Sequence, residues 1–168
     1  MSKLNKMMDD FMKVYDIAPT SITVSELCNT DELITEEMLE FEEEFMPFDL
    51  ATMGNSFLPD DEINKANVAK EMADIVYVTI QRMRRMGMDV DAVLGEVHRS
   101  NMSKRVMLAD KDMELNIARQ RYPNATIVCS VDGMCVIRDS VTGKVIKPTY
   151  YSPALITEEM YHDIQGGR

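Results

Sequence analysis

Leu33-Ile-Thr-Glu-Glu-Met-Leu-Glu-Phe-Glu-Glu-Glu-Phe45 packs six glutamates into thirteen residues, yet it is not a uniform acid run. At about 100° per residue, Ile34, Met38, Phe41 and Phe45 fall on one side of a helix. Glu37, Glu40 and Glu44 form a second stripe beside that apolar side, at spacings i, i+3 and i+7. The stretch therefore predicts a helix over about 32–46, ending before Pro47, whose carboxylates lie at the edge of a core.

Working outward, Leu4, Met7, Met8, Phe11, Met12 and Tyr15 predict an amphipathic helix over 3–16, closed by Pro19. Thr20 to Asn29 reads as a connector, with Asn29, Thr30 or Asp31 as a cap for the acidic helix. Residues 46–61 carry Pro47, Gly54-Asn55-Ser56 and Pro59-Asp60-Asp61, and read as a long loop. Loops of this length are either functional or surface connectors. A third helix is expected from Asp60 or Asp61 to near Gly87. Its broad apolar face includes Ala69, Met72, Val76, Tyr77, Ile80 and Met83. On its other face Asn67, Glu71, Asp74 and Val78 lie beside Ile75, which predicts packing on two sides. A fourth helix is expected from Asp89 to about 109, with Val90, Val93, Val97, Asn101, Lys104 and Leu108 on one stripe. Asn101 and Lys104 interrupt that stripe, and buried polar groups need partners. For the lysine these would be an acid cluster or a phosphate.

Beyond residue 110 the pattern changes. Asp110 to Arg121 predicts a short polar helix. Two β-rich runs, Thr126–Val131 and Met134–Arg138, flank Asp132-Gly133, the signature of a hairpin with a tight type I′ turn. Val145-Ile146 reads as a third strand, and 157–163 as one helical turn. The expected architecture is mainly α, a helical bundle over 1–121 with a small β-hairpin appendage over 122–168.

The 168 residues are 45% hydrophobic, enough for a sizeable core, and carry a net charge of −11. That charge disfavours a nucleic-acid groove, which needs a basic surface. No run is long enough to span a bilayer, and the N-terminus has no leader pattern, so a cytoplasmic protein is expected. Cys28, Cys129 and Cys135 lack metal-like pairing and read as free thiols. Sixteen methionines suit a helical core.

Glu37 and Glu40 sit i, i+3 on one helix, and Glu71 and Asp74 repeat the spacing on the next. If the helices pack antiparallel, four carboxylates converge. Such a group needs shifted pKa values or a cation, Mg²⁺ foremost. A single Glu-x-x-Glu is ordinarily a solvated helix face; the second pair and the Asn101/Lys104 interruption argue against that reading. Glu42 and Glu43 read as solvated, His98 as a helix residue and His162 as a tail residue. Arg82, Arg84 and Arg85 read as charges favourable to the helix dipole.

Glu36-Glu37-x-x-Glu40, then Glu71-Met-Ala-Asp74-Ile-Val-Tyr, then Val97-His-Arg-Ser-Asn-Met-Ser-Lys104 resemble the motifs of the all-α nucleoside triphosphate pyrophosphohydrolases, the MazG-like superfamily. The resemblance covers about residues 30–110. The tail around Arg138-Asp139, Gly143-Lys-Val-Ile-Lys147-Pro and Tyr151 is similar to small phage-encoded members, including the MazZ branch acting on (d)GTP. The resemblance implies hydrolysis of a (deoxy)nucleoside triphosphate to monophosphate and pyrophosphate. It implies Mg²⁺, with Mn²⁺ as substitute, on Glu37, Glu40, Glu71 and Asp74. Glu36 would orient or deprotonate the attacking water. Asn101 and Lys104 would bind the nucleotide, with Lys104 also acting on phosphate. It further implies a homodimer or homotetramer, in the host cytoplasm if phage-encoded. A dUTPase or dCTPase role is the rival enzyme, and a non-catalytic oligomeric interaction protein the rival of another class.

Overall fold

Thr23 sets the start of the acidic helix. Its side chain accepts a hydrogen bond from the Glu26 backbone N–H at 3.2 Å, satisfying one of the donors that a helix start leaves free. In this computed structural model, which describes residues 3–130 and 132–161, α1 spans Lys3–Val14, α2 Val24–Glu43 and α3 Lys65–Arg85. The stretch from Val24 to Asn29, expected as a connector, is thus the first part of α2. Asn64 starts α3 in the same way, accepting from the N–H groups of Ala66 and Asn67. The described residues cluster into two compact units, those of 3–91 with 157–161, and those of 92–156.

In the first unit α3 packs against both α1 and α2. Met8, Ile80 and Val90 form its buried centre, with Leu4, Tyr77 and Met83 packed around them. Phe11 meets Tyr77 edge-on at 5.4 Å between ring centroids. The loop between α2 and α3 is more ordered than a plain connector. β1 (Phe48–Asp49) and β2 (Gly54–Asn55) form a short antiparallel ladder, and Phe45 stacks on Phe57 at 6.4 Å. The apolar side expected for α2 is only partly covered: Ile34, Phe41 and Phe45 are half-buried, whereas Met38 is exposed. Met72 and Val76 of α3 are exposed too. The Glu158–Met160 turn is a single 3-10 turn. His162 and the end of the expected turn lie outside the described residues, as does Val131.

α4 (Val90–Met102) begins at the end of the first unit and continues into the second. It is shorter than expected. The chain turns after Met102 and forms a strand, β3 (Arg105–Met107), that periodicity had assigned to helix. α5 (Lys111–Arg121) is followed by the hairpin β4 (Ala125–Cys129) and β5 (Met134–Asp139). The antiparallel sheet runs β3-β5-β4. Its inner face and α5 bury Val106, Leu115, Ala118, Ala125, Cys135 and Ile137. Gly133 takes a φ of 75° and its N–H donates to the Ser130 carbonyl at 3.2 Å, so the turn closes at Gly133 and Asp132-Gly133 is not the central pair of the type I′ turn expected from the sequence. Val145 forms only an isolated bridge to Arg138, so β3, not Val145-Ile146, supplies the third strand. Cys129 and Cys135 face each other across the β4–β5 ladder and form a disulfide. This corrects the reading as free thiols, which holds for exposed Cys28 alone among the three. No helix among the described residues is long and apolar enough to cross a membrane.

In the second unit, the segment after the sheet lies along α4. Ser100 pairs with the Tyr151 hydroxyl at 3.0 Å, and Arg99 donates to Ser152 and to the Pro153 carbonyl. Glu114, buried on α5, accepts from both the backbone N–H and the hydroxyl of Thr149. Compactness thus divides the chain between Asp91 and Ala92, inside the first turn of α4, whereas the sequence pattern changes beyond residue 110.

Candidate metal centre

α3 runs back along α2. At one end of the pair Arg82 of α3 forms a buried ion pair with Glu26 of α2 and donates to Thr30 at 3.1 Å. At the other end Asn67 donates to Glu44 at 3.3 Å. Advancing along α2 from Glu26 to Glu37 and retreating the same number of residues along α3 from Arg82 arrives at Glu71. The antiparallel register therefore sets Glu37 opposite the i, i+3 pair of α3. One carboxylate oxygen each from Glu37, Glu71 and Asp74 lies within 4.8 Å of the others. Glu71 is buried, at 7% exposure, while Glu37 and Asp74 are half-buried.

Three acids so close together interact strongly. Burial, and then the charges of Glu40, Asp74, Glu36 and Glu71, push the Glu37 carboxyl above its ordinary value of 4.5. Lys70 answers the charge locally. Its ammonium donates to Glu71 Oε1 at 2.8 Å and Oε2 at 3.0 Å, and lies 3.0 Å from Asp74 Oδ2. Hydrogen bonds to those two carboxylates raise the lysine's own pKa. A cation thus already sits on this oxygen set, which is the donor chemistry that hard divalent ions prefer. The three acids could hold such an ion.

Of the residues singled out in the sequence, Glu37, Glu71 and Asp74 come together. Glu40 and Glu36 remain exposed on α2, and Glu40 is not one of the three converging acids, although its charge is felt at Glu37. Asn101 and Lys104 belong to the second unit. Asn101 is exposed and Lys104 half-buried, so they do not line a core stripe. The Lys104 ammonium donates to Asn101 Oδ1 at 2.6 Å. Together with Lys147 it places positive charge near Tyr151, whose pKa is lowered first by its bond to Ser100.

The sequence profile of the phosphoribosyl-ATP pyrophosphohydrolase family matches residues 1–101. The chain belongs to that family. Its members sit in the MazG-like all-α superfamily and hydrolyse nucleotide pyrophosphate bonds, so the chain is an enzyme of this class. No individually curated protein matches the chain. The match takes in α1, α2, α3 and nearly all of α4, and so covers all three converging acids.

Two features of the site were missed from sequence. Lys70, flanking Glu71, had the signal of an i, i+4 partner for Asp74. Arg82 and Glu26 had no local signal, because their pairing joins residues far apart in the chain. Arg82 is 4% exposed, so it is an interior partner, not only a helix-end charge. Arg84 likewise pairs with Asp9 at 2.6 Å, and Arg85 lies 3.2 Å from Glu26.

The raised Glu37 pKa has a direct consequence. A carboxyl whose folded pKa exceeds its unfolded value favours the fold when protonated, and that contribution is lost as pH rises through the folded value. In chelator, Glu37→Gln should therefore melt above the parent at neutral pH. The gap should close as pH falls toward the ordinary carboxylate value of 4.5. Thermal melts across that window check it, and a gap that stays constant with pH would count against the clustering of charge at Glu37.

Proposed function

We propose that the chain is a Mg²⁺-dependent nucleoside triphosphate pyrophosphohydrolase, converting a (d)NTP and water to (d)NMP and pyrophosphate. The observation that supports this most is the convergence of Glu37, Glu71 and Asp74, two of which already hold the Lys70 ammonium, in a family that cleaves nucleotide pyrophosphate bonds. Glu37, Glu71 and Asp74 hold the ion, and Glu40 completes the acid set. When bound, Mg²⁺, or Mn²⁺ in its place, lowers the pKa of water and offsets charge on the departing pyrophosphate. Glu36 orients the attacking water or takes its proton. Asn101 and Lys104 bind the substrate, with Lys104 on a phosphate oxygen, where its charge favours the transition state.

We assign catalysis to residues 1–121 and treat 122–168 as an appendage. The proposed selectivity is for (d)GTP, as in the phage MazZ branch. This is supported by the tail pattern of Arg138, Gly143, Lys147 and Tyr151. A dUTPase or dCTPase role is the alternative, and the family's own name adds phosphoribosyl-ATP as a substrate to try. The exposed apolar residues Leu27, Met38, Leu39, Met72 and Val76 favour a homodimer or homotetramer, working in the cytoplasm, or in the host cytoplasm if phage-encoded. No nucleic-acid or membrane partner is proposed.

The test is incubation of the full chain with each ribo- and deoxynucleoside triphosphate, and with phosphoribosyl-ATP, in Mg²⁺ or chelator. Pyrophosphate should be released in Mg²⁺ only, fastest from dGTP or GTP. Faster release from another nucleotide would remove the MazZ-like assignment. No product from any of them would favour the interaction-protein reading.

A further inference from the structure

Lys70 occupies an unusual position for a residue next to a candidate ligand. Neighbouring residues on a helix point about 100° apart, so its stem must wrap around the helix to bring the ammonium onto Glu71. Once there, the ammonium meets both oxygens of Glu71 and the Oδ2 of Asp74, all between 2.8 and 3.0 Å. These are oxygens that a divalent ion held by this site would use. A lysine ammonium is a compact charge on a flexible four-carbon stem, able to leave as readily as it arrives. The side chain is 61% exposed, so nothing packs it in place, and a short swing returns it to water. Glu71, at 9% side-chain exposure, cannot leave. The buried carboxylate is fixed and the cation is exchangeable.

We propose that Lys70 is a tethered counter-cation, which holds the acid cluster together in the metal-free protein and is displaced by the incoming divalent ion. The inference rests on the metal site proposed above. Without Lys70, Glu71 and Asp74 would face each other and Glu37 with no cation against them, a destabilising arrangement of like charges. With it, the site is assembled before the ion arrives, at the cost of a competitor for the same oxygens. By mutual linkage, what the ammonium contributes to the metal-free state is subtracted from the affinity for metal. Lys70 is therefore a positioning residue that sets the metal concentration at which the enzyme loads. No other cationic side chain forms an ion pair with Glu37, Glu71 or Asp74 among the described residues.

The experiment uses the full chain and Mn²⁺ alone, with free Mn²⁺ counted by electron paramagnetic resonance. Lys70→Met should bind Mn²⁺ about tenfold more tightly than the parent, because competitor and like charge are removed together. Lys70→Arg, which keeps the charge, should stay near the parent. Melting supplies a readout independent of activity. Lys70→Met should melt below the parent in chelator, and the difference should vanish in saturating Mn²⁺. Equal or weaker binding by a folded Lys70→Met would overturn the inference while leaving the metal site standing. No Mn²⁺ bound by either protein would overturn both.

Discussion

Glu71→Gln is expected to lose metal-dependent hydrolysis by at least about 100-fold while the helices stay folded. Glu71 is the buried member of the converging acids, and its two oxygens already serve a cation in the Lys70 ammonium. Glutamine keeps the shape but offers one neutral acceptor in place of two charged ones. It also relieves repulsion on Glu37, whose carboxyl is pushed up in part by Glu71. The lost Lys70 contact works in the opposite direction and offsets that relief. Net stability in chelator should therefore shift by no more than about 1 kcal/mol. Pyrophosphate release and circular dichroism on the same preparation check both halves. Near-normal turnover in a folded variant would take Glu71 out of the site.

The same residues show how much of the centre can be read from one chain. The i, i+3 spacings of Glu37 with Glu40 and of Glu71 with Asp74 are local, and periodicity exposes them directly. That the pairs meet is a tertiary fact, and here only three of the four acids converge. Glu40 stays on the open side of α2, where helical spacing alone could not place it. The start of α2 was legible in principle: Thr23-x-x-Glu26 has the capping-box pattern, and Thr23 does receive the Glu26 N–H. The weaker apolar pattern between Val24 and Asn29 hid it, because that turn buries a glutamate and leaves Val24 and Leu27 exposed.

β3 was hidden for a different reason. Arg105-Val-Met107 is too short to show alternation, and it becomes a strand only by pairing with Met134–Val136 far along the chain. The hairpin itself was visible because both strands and their turn are contiguous. Its disulfide follows from register: two cysteines six residues apart on either side of such a turn can face each other directly. Counting cysteines could not show that, and Cys129 and Cys135 were assigned instead from their number and the expected compartment. Lys70 escaped because a lysine beside an acid on a helix normally points elsewhere.

Breaking the Glu26–Arg82 pair should produce the largest loss of stability. Glu26 is 5% exposed and Arg82 is 4% exposed, so each charge relies on the other, with help from Thr30 and Arg85. Removing one partner from a buried pair leaves an uncompensated charge and costs about 3–5 kcal/mol. For a chain of this length that corresponds to a fall in melting temperature of about 10 °C. Glu26→Ala and Arg82→Ala should each show it, by melting or denaturant titration. Glu26→Leu combined with Arg82→Met should recover most of the loss, since apolar groups of similar size remove the stranded charge. The pair also ties α2 to α3 at the end away from Asn67 and Glu44. It therefore helps fix the register that brings Glu37 to Glu71 and Asp74. The single variants should accordingly bind Mn²⁺ more weakly even where enough folded protein remains to measure it. Losses below about 1 kcal/mol in both single variants would mean the pair is solvated and weak. The alignment of the three acids would then depend on the apolar contacts between α2 and α3 and on the Asn67–Glu44 bond.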